Sequence, residues 1–291
     1  MNIPTVLLRT KNNDWVLRQT LQSLFSQNLK FNLRVIDSGS TDQTLNILRE
    51  WDITPEKISP EKYIPGLVIN EALETIQSDL IIMLNSDSVL LTEDALEKLI
   101  SPLEKKDIIA TVGRQIPRHD SEPWVKKDYA HAFPDRPNLP DYIHLSFPLS
   151  AFKREVWEKE KLYLKSWGSE DSEWGKRLKD KKVGKIKYTP EALTMHSHNY
   201  NFKQLYARKF IEGEADFFIY DKKPSILNLF IGLIRRSVSE LFYYLKNGHF
   251  LTIPKIPIRN FVYFFGEYKG LKSAEKRKKN NHDEVVYKNY Q

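Results

Sequence analysis

Residues 80–88 read Leu-Ile-Ile-Met-Leu-Asn-Ser-Asp-Ser, five apolar residues in a row closed by small polar residues and one carboxylate. An unbroken apolar run without alternation predicts a strand covered on both faces, as strands of a parallel sheet are. Its polar end then emerges at the carboxyl edge of the sheet, where open α/β sheets bind ligands, and delivers Asp87 there. Taken alone, Asn-Ser-Asp makes an equally good Asx turn after a core strand. The rest of the chain decides between the two.

Working back from this run, residues 66–76 carry Ile69, Leu73 and Ile76 at helical spacing behind Pro65-Gly66. Residues 4–8 and 33–36 are short apolar strands. The first leads through a polar turn to a helix capped by Asp14, with Leu17, Leu21, Leu24 and Phe25 on one face. The second leads to a helix with a capping-box pattern, Ser40 with Gln43, that buries Leu45, Leu48 and Trp51. Strand–turn–helix units in succession mean a parallel sheet with crossover helices. A third strand is expected near Ile58.

Working forward, Thr92 is placed to cap a helix carrying Leu96, Leu99, Ile100 and Leu103, and residues 107–116 read as a strand. Residues 117–140 hold five prolines, at 117, 123, 134, 137 and 140, among charges and His119, Trp124 and His131. Such a segment reads as a mobile substrate loop or as a disordered insertion. The sheet resumes at 146–152, a short helix follows at 153–160, and residues 185–188 and 192–195 are two short strands around Pro190. Beyond Asn201 the chain is helical, basic and aromatic, and 272–279 is a charge run.

The chain has 291 residues, 41% hydrophobic and 29% charged, which is ample for a full core. It has no cysteine, which excludes disulfides, thiolate metal sites and a cysteine nucleophile. The formal net charge of +7 favours anionic partners. The N-terminus lacks the pattern of a secretory signal, and the most apolar late stretch, 226–245, is interrupted by Arg235, Arg236 and Glu240, so no membrane span is expected.

Four polar clusters remain: residues 37–42, Asp-Ser-Gly-Ser-Thr-Asp; Asn85-Ser86-Asp87; Glu170-Asp171 within Trp167-Gly-Ser-Glu-Asp-Ser-Glu-Trp174; and His196-Ser-His198. Together they resemble the inverting glycosyltransferases of family 2, which have a GT-A fold. The resemblance rests on the decad Val-Ile-Asp-Ser-Gly-Ser-Thr-Asp-Gln-Thr at 35–44, on Asn85-Ser86-Asp87 as counterpart of an acid-x-acid motif, and on the Glu-Asp pair. It covers roughly residues 3–215. The start Arg9-Thr10-Lys11-Asn12 and the ending His196-Ser-His-Asn-Tyr200 look most like rhamnosyltransferase-type members.

The resemblance implies a role for each cluster. Asp37 reads a uracil or thymine ring, while Thr10 and Asn85 line the nucleotide pocket. Asp87 is the principal ligand of Mn2+ or Mg2+, with His196, preferred, or His198 as a further ligand. Asp171 is the base that takes the proton of the attacking hydroxyl, and Glu170, Trp167 and Trp174 bind the acceptor. A carboxylate within reach of that hydroxyl is what general base catalysis requires, and hard oxygen ligands suit a cation that bridges phosphates. Asn85 stands where the family has its first acid, which lowers the local negative charge. The bland readings are a helix-capping Asp37 and, for Glu170-Asp171, acids complementing a helix dipole.

The implied protein is an α/β GT-A transferase domain over 1–215, divided into a nucleotide-sugar half, 1–116, and an acceptor half, 117–215. A basic helical region, 216–291, follows. Its implied activity moves a sugar from a UDP- or dTDP-sugar to a glycan or lipid-linked glycan in cell-surface polysaccharide synthesis. The setting is cytoplasmic or at the inner membrane face, with no nucleic acid as partner. The C-terminal helices either pack on the catalytic domain or meet the membrane surface. The competing functions are a sugar-phosphate nucleotidyltransferase, which would want a Gly-rich loop where this chain has Arg9-Thr10-Lys11-Asn12-Asn13, and a non-catalytic basic membrane- or nucleic-acid-binding protein.

Overall fold

The computed structural model describes residues 2–163 and 168–280, which divide into two compact units. The first comprises 2–119, 129–163 and 171–197 and holds an eight-stranded sheet. Its strands are β1 (Thr5–Thr10), β2 (Asn32–Asp37), β3 (Glu56–Lys57), β4 (Leu80–Asn85), β5 (Val89–Leu90), β6 (Ile108–Ile116), β7 (Leu149–Lys153) and β8 (Lys185–Met195). They lie in the order β3-β2-β1-β4-β7-β6-β8-β5. β1 pairs parallel with β2 and β4, β2 with β3, and β6 with β8. β7 is antiparallel to both β4 and β6, and β5 to β8.

β4 explains why its sequence lacks alternation. Ile81 and Met83 join one core, with Val68, Ile69 and Leu73 of α3 (Pro65–Thr75) and with Phe152. Leu80, Ile82 and Leu84 point the other way, into a core shared with Leu17, Leu21 and Leu24 of α1 (Asp14–Phe25) and with Leu96 and Leu99 of α4 (Ala95–Ile100). Both faces of the strand are therefore covered, and period two is invisible because each phase needs an apolar side chain.

Several local expectations shift. α2 runs Thr44–Glu50 and has no side-chain cap from Gln43. The Ser40 box does not form, because Ser40 donates its hydroxyl and amide to Asp37, and the Thr44 amide goes to Asp42 Oδ1 at 2.9 Å. Asn13 and Asp94, rather than Asp14 and Thr92, stand at the caps of α1 and α4. Phe25 is exposed and stacks on Trp51 at 5.4 Å. The proline-dense stretch is neither loop nor disordered insertion throughout. It contains helix α5 (Pro123–Ala132), where Pro123 opens the first turn and Trp124 and Val125 are buried. The two strands around Pro190 are one. β8 shifts register against β6 between Thr189 and Leu193, so Pro190 sits in an irregularity that needs no ladder hydrogen bond. After β7 come α6 (Arg154–Lys159) and α7 (Glu170–Asp180).

The second unit comprises 120–128, 168–170 and 198–280 and is built on α8 (Phe202–Ile219), α9 (Ile226–Lys246) and α10 (Lys255–Lys279). α8 starts with a true capping box, Asn201 with Gln204, and runs through the expected 215/216 division. α8 and α10 meet backbone to backbone. A Cβ on Gly270 would stand 2.0 Å from Phe210 O, and one on Gly213 2.3 Å from Glu267 O, so both positions require glycine. The run 272–279 is the end of α10, where cations complement the helix dipole. Among the described residues, no helix is long and apolar enough to cross a membrane.

Candidate active site

Strand direction gathers the polar clusters. β4 and β6 each run antiparallel to β7, so β1, β2, β4, β6 and β8 all end at one edge of the sheet, and β7 begins there. That edge collects Thr10, Asp37 and Asn85 at the strand ends, Gln115 one residue before the end of β6, His196 just past β8, and Phe147 just ahead of β7. This is where an α/β sheet of this kind binds ligands.

At β2 the chain turns through Gly39, whose φ of 86° suits glycine. Asp37, 1% exposed, organises the turn. Its Oδ1 accepts the Gly39 and Ser40 amides at 3.0 Å each, and its Oδ2 accepts the Ser40 hydroxyl. Thr10 is buried alongside, and its carbonyl accepts the Ser38 amide at 3.1 Å. Its hydroxyl has no hydrogen-bond partner among the described residues. Asn85 Oδ1 accepts from Arg9 Nη2 at 3.2 Å, and the Arg9 guanidinium lies 5.6 Å from the Phe147 ring centre. A cation therefore stands beside the position where the motif has exchanged an acid for an amide.

Asp87 and His196 are both buried, and His196 Nε2 lies 3.7 Å from Asp87 Oδ1. The far side of the ring is fixed. Gln115 Nε2 donates to Ser146 Oγ at 2.8 Å, which turns Gln115 Oε1 toward His196 Nδ1, also at 2.8 Å. With the amide in this orientation an Nδ1–H is the donor to Oε1, and the Tyr129 hydroxyl lies 3.2 Å from the same nitrogen. In the neutral ring this leaves an Nε2 lone pair facing a carboxylate oxygen, an arrangement that suits a shared cation. His198 completes the set: one ligand atom from each of Asp87, His196 and His198 lies within 4.8 Å of the others. An acid oxygen with two imidazoles fits Mn2+ or Mg2+ in kind, the nitrogen ligands favouring the former.

Asp171 is the second residue of α7. Its Oδ2 accepts the Phe147 amide at 3.1 Å and its Oδ1 the Ser172 amide at 2.7 Å. The bond to Phe147 ties this carboxylate to the same edge of the sheet.

Residues 5–160 match the sequence profile of glycosyl transferase family 2. The O-antigen chain rhamnosyltransferase WbaN of Salmonella anatum is 30% identical over 254 residues, 80% of this chain and 78% of that protein. The chain belongs to glycosyl transferase family 2. A second relative, the O-antigen chain rhamnosyltransferase RfbN of Salmonella typhimurium, is 26% identical over 90% of this chain and 87% of its own. Among solved structures, the mannosyltransferase PcManGT of Pyrobaculum calidifontis, in complex with GDP-Man and Mn2+, superposes with a TM-score of 0.63 at 15% identity, over 94% of this chain and 86% of that one. Glucosyl-3-phosphoglycerate synthase of Mycobacterium tuberculosis, with Mg2+ and UDP, gives 0.54 at 17% identity, over 75% and 79%. The fold of this glycosyltransferase is GT-A, and the family resemblance read from its motifs holds.

The structure brings Thr10, Asp37, Asn85, Asp87 and His196 to one edge, and His198 joins the cation set. Glu170 opens α7 and is only 7% exposed. Trp174 does not serve as a sugar platform. It is wholly buried, packs edge-on to Phe152 at 4.8 Å and donates its indole N–H to Glu160 O at 2.6 Å. Its place on α7, one helical turn before Leu178, puts both on the inward face, a spacing the sequence displays. Trp167 lies outside the described residues. Sequence reasoning gave no role to Arg9, Gln115 or Tyr129. Gln115 carried a usable signal, a lone amide near the end of an apolar strand, as Asn85 does.

Proposed function

We propose that this glycosyltransferase moves a sugar from a dTDP- or UDP-linked donor to a hydroxyl of a growing glycan or lipid-linked glycan in polysaccharide synthesis, with inversion at the anomeric carbon. Rhamnose is the first donor sugar to try, because both relatives are named as O-antigen chain rhamnosyltransferases. The observation that carries the reading is the Asp87–His196–His198 cluster at the carboxyl edge of a family 2 sheet. Thr10, Asp37 and Asn85 hold the nucleoside, with Arg9 supplying positive charge beside Asn85. A divalent cation, Mn2+ or Mg2+, held by Asp87 and the two histidines would offset the charge of the departing diphosphate.

Asp171 takes the proton of the acceptor hydroxyl as its oxygen attacks the anomeric carbon and the bond to the diphosphate breaks. One base suffices, since inversion needs no enzymic nucleophile. Glu170 binds an acceptor hydroxyl. The place of action is the cytoplasm, at the inner face of the membrane that carries the acceptor.

A panel of dTDP- and UDP-sugars, each with and without Mn2+, tests the reading through release of the nucleoside diphosphate. The expected result is turnover of one donor, weakened by chelation. Failure of every donor to bind or react would overturn it.

A further inference from the structure

α9 is amphipathic in the reverse sense from an ordinary surface helix. Its inward side carries the ions: Glu240, fully buried, is paired with Arg236 at 2.9 Å and with Arg259, and accepts from Asn260 at 3.1 Å. Arg236 also meets Asp128 at 2.6 Å. The outward side is apolar. Leu227, Ile231, Ile234, Val238, Phe242 and Leu245 recur at helical spacing, and all are exposed, Leu227 and Phe242 by 69% and 68%. The turn that follows ends in Phe250 and in Leu251, which is 95% exposed. Arg235, Lys246 and Lys255 are exposed beside this surface.

We infer that this face of α9, with the Phe250–Leu251 tip, lies in the headgroup plane of an anionic lipid bilayer. Charge complementarity selects the occupant. Between residues 225 and 261 Glu240 is the single acid, and it is buried, so the exposed charges that this segment carries are all cations. A second copy of the chain laid on this face would bring cation against cation, whereas anionic headgroups satisfy them while acyl chains cover the stripe. A helix of 21 residues, about 30 Å long, with no window apolar enough to span, rests on a bilayer rather than crossing it. The inference stands apart from the transferase reading, since it invokes none of the residues of the sheet edge.

Sedimentation of the full chain with vesicles of phosphatidylethanolamine and phosphatidylglycerol tests it, against phosphatidylcholine alone. The full chain is expected to pellet with the anionic vesicles, less so as salt rises, and to stay in solution with phosphatidylcholine. Ile234→Glu and Leu251→Glu should each lower binding by about tenfold or more, the factor that burial of one large apolar side chain supplies. Ile234→Leu should bind as the parent does. The melting temperature and donor hydrolysis in lipid-free buffer should be unchanged in all three. An unaltered chain that remains in solution with anionic vesicles overturns the inference, as does an Ile234→Glu variant that binds like it. A lipid-free dimer that Ile234→Glu converts to monomer also overturns it, by making this face an interface between copies.

Discussion

At the scale of single residues, the proposed site divides into groups assigned to the reactants and groups that orient them. Asp171→Asn keeps the size of the side chain and removes its basicity. Its kcat should fall by about 10²–10⁴, the usual range for loss of a general base, while nucleotide titration shows donor binding retained. Gln115→Leu tests orientation. Without the Oε1 acceptor, His196 Nδ1 loses the partner that fixes its proton there. Mn2+ affinity, measured calorimetrically on the protein without donor, should drop by about 10–100-fold, as when other partners of metal-bound histidines are lost, with little change in melting temperature. These two residues also mark how far the sequence can be read. Asp37, Asp87 and His196 were legible because each ends or follows an apolar run. The contacts of Gln115 and Tyr129 with His196 were not, because they join residues 81 and 67 positions apart, and no local pattern records such a meeting. Trp174 was misjudged for a different reason: a tryptophan beside glycine suggests a sugar platform only until helical spacing assigns its face.

At the scale of elements, the parallel pairs and their crossover helices were legible because burial on both faces leaves continuous apolar runs. Local capping was less so, since two carboxylates in one loop divide its donors between them: Asp37 accepts from Gly39 and Ser40, and Asp42 accepts the Thr44 amide. Helix α5 was hidden by its proline: Pro123 opens a helix as readily as it marks a loop. The α8–α10 seam offers a sharp test at this scale. Gly270→Ala places a methyl 2.0 Å from Phe210 O, so the helices must part. A loss of about 1–3 kcal/mol is expected, the common cost of overpacking, read as a lower midpoint in denaturant unfolding. An Ala variant as stable as the parent would show that the seam is looser than its geometry.

At the scale of the whole molecule, stability should depend on pH through Asp216. Burial pushes its carboxyl up to about 6, with Glu267 and Glu212 adding to the shift and the Lys222 ammonium opposing it. The folded state therefore holds this proton more tightly than the unfolded chain, so the contribution is present below about pH 4 and is lost as pH rises through about 6. Asp216→Asn should raise the melting temperature at pH 8 and change it little at pH 4. Glu212, drawn down to about 2 chiefly by Lys209 and Arg208 against the cost of burial, works in the opposite sense, its stabilisation present above about pH 4.5 and lost toward pH 2. The order of the strands has a consequence for biosynthesis. β7 fills the place between β4 and β6, yet it is translated after both. Until residue 153 has cleared the ribosome, the edges of β4 and β6 that face this gap keep unanswered amides and carbonyls, each able to recruit a neighbouring nascent chain. A product ending at residue 148 should therefore precipitate, whereas one that runs past β8, beyond residue 195, has the means to close its own sheet.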